Sequence, residues 1–161
     1  ERKKIRMRWN NFDEEIKLEY KIKKGEIGNK IYSNNLKNSS LFLPLSLKLP
    51  KNKINSIINI PKIVDNIFSP KVVVTYIRDY FVSSSGTTRI TFDYQINYSI
   101  IINNLEMYSV SNWLPDESSV LELKYDYLEK NNSLIDRIVC KLSIQTSRFS
   151  KYCNAISSIY S

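Results

Sequence analysis

The chain contains no histidine among its 161 residues. That absence removes every Ser-His-Asp and Cys-His arrangement and every histidine-ligated metal, and leaves carboxylate oxygens as the metal ligands available. Cysteine is scarce too: Cys140 and Cys153 form no disulfide framework and match no zinc spacing, which fits a reducing, cytoplasmic setting. Glycine occurs only at Gly25, Gly28 and Gly86, so neither a dinucleotide fingerprint nor a Gly-rich phosphate loop can be assembled. No apolar run reaches the ~18 to 20 residues of a membrane helix, and no signal-peptide pattern opens the chain. A soluble protein is expected, cytosolic or tied to the cytosolic face of a membrane by further domains. The chain opens on Glu1 and enters a strand pattern almost at once, which predicts that N-terminal strands of the fold are missing from this sequence.

Basic charge is in surplus. A net charge of +8 with 42% hydrophobic residues describes one domain over 1–161, large enough for a real core and suited to an anionic partner. Nucleic acid, a phospholipid surface and phosphate-rich small molecules are all open on charge alone.

The charge is patterned. Five stretches alternate with the period of two of a strand. Lys4, Arg6 and Arg8 oppose Ile5, Met7 and Trp9. Lys17, Glu19, Lys21 and Lys23 oppose Ile16, Leu18, Tyr20 and Ile22. Val72, Val74, Tyr76 and Arg78 oppose Val73, Thr75, Ile77 and Asp79, with weaker sidedness. Arg89, Thr91 and Asp93 oppose Ile90, Phe92 and Tyr94, and Glu122, Lys124 and Asp126 oppose Leu121, Leu123 and Tyr125. The expectation is that the apolar faces fill the core while the charged faces line a cavity. Together those charged faces carry nine basic and four acidic side chains, a surplus that calls for an anionic occupant.

Between the strands, 34–59 reads as loops with a short helix. Pro61 suits the first turn of a brief helix carrying Ile63, Val64, Ile67 and Phe68. Ser133 and Asp136 have capping-box spacing before a stripe of Leu134, Ile135, Ile138, Val139 and Leu142. A last helix is expected from about Ser150, with Phe149, Tyr152, Cys153, Ile156 and Tyr160 on its apolar side. The Asn pairs at 10–11, 34–35, 103–104 and 131–132 read as turns.

Six short motifs follow one another: Lys4-x-Arg6-x-Arg8, Leu18-Glu19-x-Lys21, Tyr76-x-Arg78, Arg89-x-Thr91-x-Asp93, Leu121-Glu122-x-Lys124 and Arg148-Phe149-Ser150-Lys151-Tyr152-Cys153. In order and approximate spacing they resemble the VTC domain, named for the vacuolar transporter chaperone proteins and part of the triphosphate tunnel superfamily. The likeness covers nearly the whole chain and is loosest over 34–69.

The resemblance implies an α+β fold, a closed antiparallel β-barrel of about eight strands with flanking helices and a hollow interior. It implies a polyphosphate polymerase that takes the terminal phosphoryl group from a nucleoside triphosphate such as ATP and adds it to phosphate or polyphosphate. Arg6, Arg8, Lys21, Arg78 and Arg89 match the family's phosphate-binding basic residues, with Tyr76 as a hydrogen-bonding neighbour and Lys30 matched to a further basic position. Ser150 and Lys151 match contacts to the terminal phosphate. Of these, Arg6, Arg8, Lys21, Arg78, Arg89 and Lys151 carry the expected catalytic role, and Glu122 matches the ligand of Mn2+ or Mg2+. The family pattern also includes a basic residue and acidic or basic strand positions upstream of its Arg-x-Arg strand, which are not located in this sequence.

Simpler readings compete. On their own, Lys4, Arg6 and Arg8 read as the charged face of an edge strand. Glu19 with Lys21, and Glu122 with Lys124, read as same-strand ion pairs. Asp93 reads as structural, Arg148 with Lys151 as a solvent-facing pair, and Tyr152 and Cys153 as core. The tyrosines fall mostly on apolar faces, which favours packing over nucleic-acid stacking. A triphosphate hydrolase, a non-catalytic polyphosphate or nucleotide sensor and a basic nucleic-acid module are the alternative functions.

Overall fold

The computed structural model describes residues 2–10, 15–24, 27–32, 36–37, 48–51, 69–105, 107–125, 137, 140–141 and 147–160. In chain order these form strands β1 (Arg2–Arg8), β2 (Glu15–Lys24), β3 (Ile27–Tyr32), β4 (Leu36–Lys37), β5 (Lys48–Pro50), β6 (Val72–Val82), β7 (Thr88–Asn103), β8 (Met107–Val110), β9 (Leu114–Asp116) and β10 (Val120–Tyr125), and helix α1 (Lys151–Tyr160). All of their ladders are antiparallel. The chain divides into two compact units, Glu1–Lys71 with Ile101–Val110, and Val72–Ile100 with Ser111–Ser161.

In the first unit β1, β2 and β3 pair side by side, and β4 pairs the start of β2. Leu18 and Tyr20 are buried, so the apolar face of β2 packs as the alternation predicts. The end of β7 turns into β8 where the Asn104 amide donates to the Met107 carbonyl at 3.0 Å, which places the expected Asn103-Asn104 turn. Strand β5 extends that pairing through β8.

In the second unit β7 is central, with β6 along one edge and β9 and β10 along the other. A tight turn joins β6 to β7, and Gly86 supplies its left-handed residue at φ 73°. Pairing slips between Thr75↔Asn97 and Ile77↔Tyr94, so Gln95 and Ile96 together oppose Tyr76. Gln95 sits at φ 50° in this β-bulge. One extra residue shifts the alternation: Thr91 and Asp93 before the bulge and Ile96 and Tyr98 after it are all buried, on the face shared by Val72, Val74, Tyr76 and Arg78. Helix α1 covers that face, packing Ala155 and Ile159 on Ile96, Tyr98, Val72, Val74, Tyr76 and Val120.

Several expectations change. Among the described residues neither unit's ladders close into a barrel: the architecture is mostly antiparallel sheet with one C-terminal helix. In the second unit the core lies on the face that carries Arg78 and Asp93, while Ile77, Phe81, Leu121 and Tyr125 of the more apolar face are exposed. The reason is that α1 covers the Tyr98 side of β7, and the bulge puts Thr91 and Asp93 on that same side. The apolar side expected for α1 is also displaced. Phe149, Tyr152, Cys153 and Tyr160 are exposed, Ile156 is half-buried, and the stripe against the sheet is the buried Ala155 with the half-buried Ile159. A small side chain lets the helix axis come close to the sheet, which the bulky tyrosines would prevent.

The residues of the Pro61 helix lie outside the described ones. So do Ser133, Leu134, Ile135, Asp136, Ile138, Val139 and Leu142, although Arg137, Cys140 and Lys141 are helical and exposed. Of 34–59, the described parts are β4, β5 and Lys51. Both cysteines are exposed. No described helix is long and apolar enough to cross a membrane.

Candidate functional site: two basic clusters on buried carboxylates

In the first unit, ladder register sets which side chains share a face, because directly paired residues point the same way. Lys4 stands opposite Lys21, and Lys21 opposite Lys30; Arg6 stands opposite Glu19, and Arg8 opposite Lys17. The four site residues expected here, Arg6, Arg8, Lys21 and Lys30, therefore lie on one face. Glu19 is 3% exposed at its centre. Arg6 donates through Nε to Glu19 Oε2 at 2.8 Å and again through Nη2, Lys30 Nζ lies 3.1 Å from Oε1, and Arg8 Nη1 lies 3.7 Å from it. Burial alone would raise the Glu19 carboxyl, but the hydrogen bonds and charges of Arg6 and Lys30 outweigh it and hold the group below its usual range. The surface pair expected between Glu19 and Lys21 is thus replaced by a buried carboxylate serving cations from β1 and β3.

Like charges directly opposite one another destabilise a sheet. The row Lys4, Lys21, Lys30 places three ammonium groups across three strands, and Glu19 in the neighbouring row helps to offset them. Such a face is a poor arrangement for a bare protein and a good one for a polyanion.

In the second unit the hub is Asp93, 1% exposed. It is paired in register with Arg78, which donates from Nε to Oδ1 at 2.5 Å and from Nη2 to Oδ2 at 2.6 Å. Lys151 Nζ donates to Oδ2 at 2.5 Å. Burial opposes the Asp93 charge, yet Arg78 and Lys151 hold its carboxyl below the ordinary range; in turn the hydrogen bonds that Arg78 donates to Asp93 raise the guanidinium above its own. The Tyr76 ring lies against both cations, 4.7 Å from Lys151 Nζ and 5.1 Å from Arg78 Cζ, and Tyr80 adds a second ring at 5.7 Å from Arg78.

The helix explains how Lys151 arrives there. Residues four apart share a helix face, so the stripe that packs Ala155 and Ile159 on the sheet carries Lys151 with it. Ser150 caps the helix, accepting from the Cys153 amide at its Oγ at 3.4 Å, while the Asn154 amide donates to its carbonyl at 2.9 Å. A lysine in the first turn opposes the helix dipole, a cost that Asp93 offsets. Lys151 accordingly is not paired with Arg148 toward solvent.

Register also places Arg89 and Glu122 on the Asp93 face: Lys124 opposes Arg89, Glu122 opposes Thr91, and Val120 opposes Asp93. Arg89 and Glu122 are exposed, and Glu122 Oε1 lies 3.2 Å from Lys124 Nζ, the same-strand pair expected. The Thr91 hydroxyl is buried without a hydrogen-bond partner. Tyr76, Arg78, Arg89 and Glu122 thus share one face of the second unit's sheet, with Arg89 and Glu122 on its exposed part; α1 brings Lys151 to that face, and Ser150 lies at the helix cap.

Two features escaped the sequence reading. Glu19 is a hub rather than a surface partner of Lys21, with one acid among several bases on one strand face as the visible signal, and Asp93, read as structural, gathers cations from β6 and α1 whose identity the sequence did not show. Tyr98, fully buried, donates its hydroxyl to Asp116, which also accepts from the Ser118 amide at 2.9 Å. Burial and that bond push the Tyr98 phenol up, so it is a packed, hydrogen-bonded core group rather than a proton donor for chemistry.

The molecule is an antiparallel sheet protein whose arginines and lysines gather around buried carboxylates on defined sheet faces. It belongs to the VTC domain family, whose model matches residues 1–160. No significant match was found among curated proteins or among solved structures. The family match gives the chain a polyphosphate polymerase-family role at the family level.

Proposed function

We propose that this domain transfers the terminal phosphoryl group of a nucleoside triphosphate, ATP in the first instance, onto phosphate or a growing polyphosphate chain. The observation that carries the reading is the Arg78 and Lys151 pair, held on Asp93 in a VTC-family chain and sharing a sheet face with Arg89 and Glu122. Arginine forks grip phosphate oxygens in a bidentate way and lysines add point charge. At 4 Å and an effective dielectric near 20, one such pair is worth roughly 4 kcal/mol before desolvation.

Phosphoryl transfer asks little covalent work of the protein. An acceptor phosphate oxygen attacks the terminal phosphorus, the bond from that phosphorus to its bridging oxygen breaks, and the nucleoside diphosphate leaves with the electron pair. Arg78, Arg89 and Lys151 would hold the phosphates in line and neutralise charge as it moves to the bridging oxygen. Arg6, Arg8, Lys21 and Lys30 supply the first unit's face for phosphate, and Ser150 lies at the cap preceding Lys151.

The described residues bring together no cluster of three or more acidic or cysteine ligands. An exposed single carboxylate, Glu122, still suits Mg2+ or Mn2+, which commonly take one or two protein oxygens and complete their shell with phosphates and water. Such an ion would act as a Lewis acid on phosphate oxygens.

The test is incubation of the protein with ATP and Mn2+, with polyphosphate as the measured product. Absence of product together with absence of triphosphate binding rejects the proposal. Orthophosphate release without chain growth would instead assign hydrolysis. Binding that added DNA displaces freely, with a steep salt slope, would assign a basic nucleic-acid surface.

A further inference from the structure

We infer that Asp93 is a positioning residue of the phosphate site: it holds the Arg78 guanidinium and the Lys151 ammonium in place for phosphate, and is not a resident anion that phosphate displaces. This rests on the proposed phosphate-binding role of Arg78 and Lys151 and adds a residue that role does not include.

The argument begins with the guanidinium. Asp93 takes Nε and one hydrogen of Nη2, two of the five N–H donors. The edge formed by Nη1 and the second Nη2 hydrogen points away from the carboxylate, and that edge has the fork geometry that matches a phosphate. Asp93 occupies one bidentate edge, Nε with Nη2, so a phosphate can take the Nη1–Nη2 edge without displacing it. Lys151 similarly gives one of its three hydrogens to Asp93 Oδ2.

Burial separates the roles further. Asp93 is 1% exposed, whereas the Arg78 and Lys151 side chains are 14% and 19% exposed, so the carboxylate lies behind the cations. Backbone register with Arg78 fixes it from β6, and the helix stripe fixes Lys151 from α1. The Tyr76 ring against both cations limits their swing. The carboxyl keeps its charge because its neighbours hold it below the usual range. Removing that charge would leave two cations free to seek other rotamers, and each phosphate contact would then have to order them anew.

The experiment uses inorganic tripolyphosphate as probe, with calorimetry on the parent chain and on Asp93→Asn, Arg78→Ala and their double variant. Positioning requires Asp93→Asn to weaken binding roughly tenfold or more, the scale of a hydrogen bond to a charged group. It also requires the loss to shrink in the Arg78→Ala background, since the two act through one contact. Binding by Asp93→Asn as tight as the parent's, or tighter, overturns the inference while leaving the proposed function standing, provided Arg78→Ala binds measurably more weakly than the parent. Parent-like binding by Arg78→Ala overturns both.

A measurement on the parent chain guards against a misfolded variant. The Arg78 Nε–H resonance, assigned by its loss in Arg78→Lys, should exchange slowly with solvent and stay slow at saturating tripolyphosphate. Exchange that accelerates when the probe binds means that Arg78 has left Asp93 for phosphate, and the inference fails.

Discussion

Arg78 and Asp93 face each other as a directly registered pair on adjacent strands, so their ion pair is set by the backbone ladder and not by a search of side-chain rotamers. Breaking a buried pair by removing one member strands the other charge. Asp93→Ala should therefore destabilise the protein by about 3 to 5 kcal/mol. Glu122→Gln removes an exposed same-strand pair and should change stability by no more than about 1 kcal/mol, while lowering metal-dependent polyphosphate formation. Urea unfolding beside the synthesis assay checks both.

Acid should unfold the protein through its carboxylate hubs. Glu19, Asp93 and Asp116 all have carboxyl groups held below their usual range in the fold. The unfolded chain then binds protons more readily than the native one. Their contribution is fully present above the unfolded values of about 3.9 for Asp and 4.3 for Glu, and is lost as pH falls through the lower folded values. The urea midpoint should be flat from these groups between pH 7 and about 5 and fall below that. Asp93→Asn should flatten part of the fall, and an unchanged acid limb would contradict the assignment of Asp93 as a hub.

The lysine row makes an opposite pair of demands. Lys21→Gln should raise stability by about 0.2 to 1 kcal/mol by relieving like charges across β1, β2 and β3. The same change should weaken tripolyphosphate binding and reduce its salt dependence. Thermal unfolding with and without the probe measures both, since ligand stabilisation should shrink as intrinsic stability grows.

The bulge should be sensitive to residue type at a single position. Gln95 adopts a left-handed backbone at φ 50°, which costs an L-residue roughly 1 to 2 kcal/mol and glycine almost nothing. Gln95→Gly should be neutral or stabilising, and Gln95→Val clearly destabilising. If Gln95→Val unfolds at the parent's urea midpoint, the extra residue is accommodated elsewhere in β7.

Much of the local structure was readable from alternation. Lys4 to Arg8, Lys17 to Lys23 and the stretches around Arg78, Arg89 and Glu122 are strands because period-two sidedness depends only on neighbouring residues. The series of motifs ending in Arg148-Phe149-Ser150-Lys151-Tyr152-Cys153 pointed to the VTC family for a similar reason, since it is a property of order and spacing. The helix stripe was misjudged because Phe149, Tyr152 and Tyr160 look more apolar than Ala155, while the sheet selected the residue small enough for close approach.

From the chain alone came a strand-rich, basic protein without histidine chemistry, with its cations spaced two apart. These follow from residue identity and local stereochemistry. Which acid would become the centre of each cluster depended on partners 13 and 15 residues away along the chain for Glu19 and Asp93, and on a lysine 58 residues away for the latter. Burial and strand register are collective: a carboxylate becomes a hub when other segments remove its water and bring cations in exchange, and no single stretch of sequence carries that information.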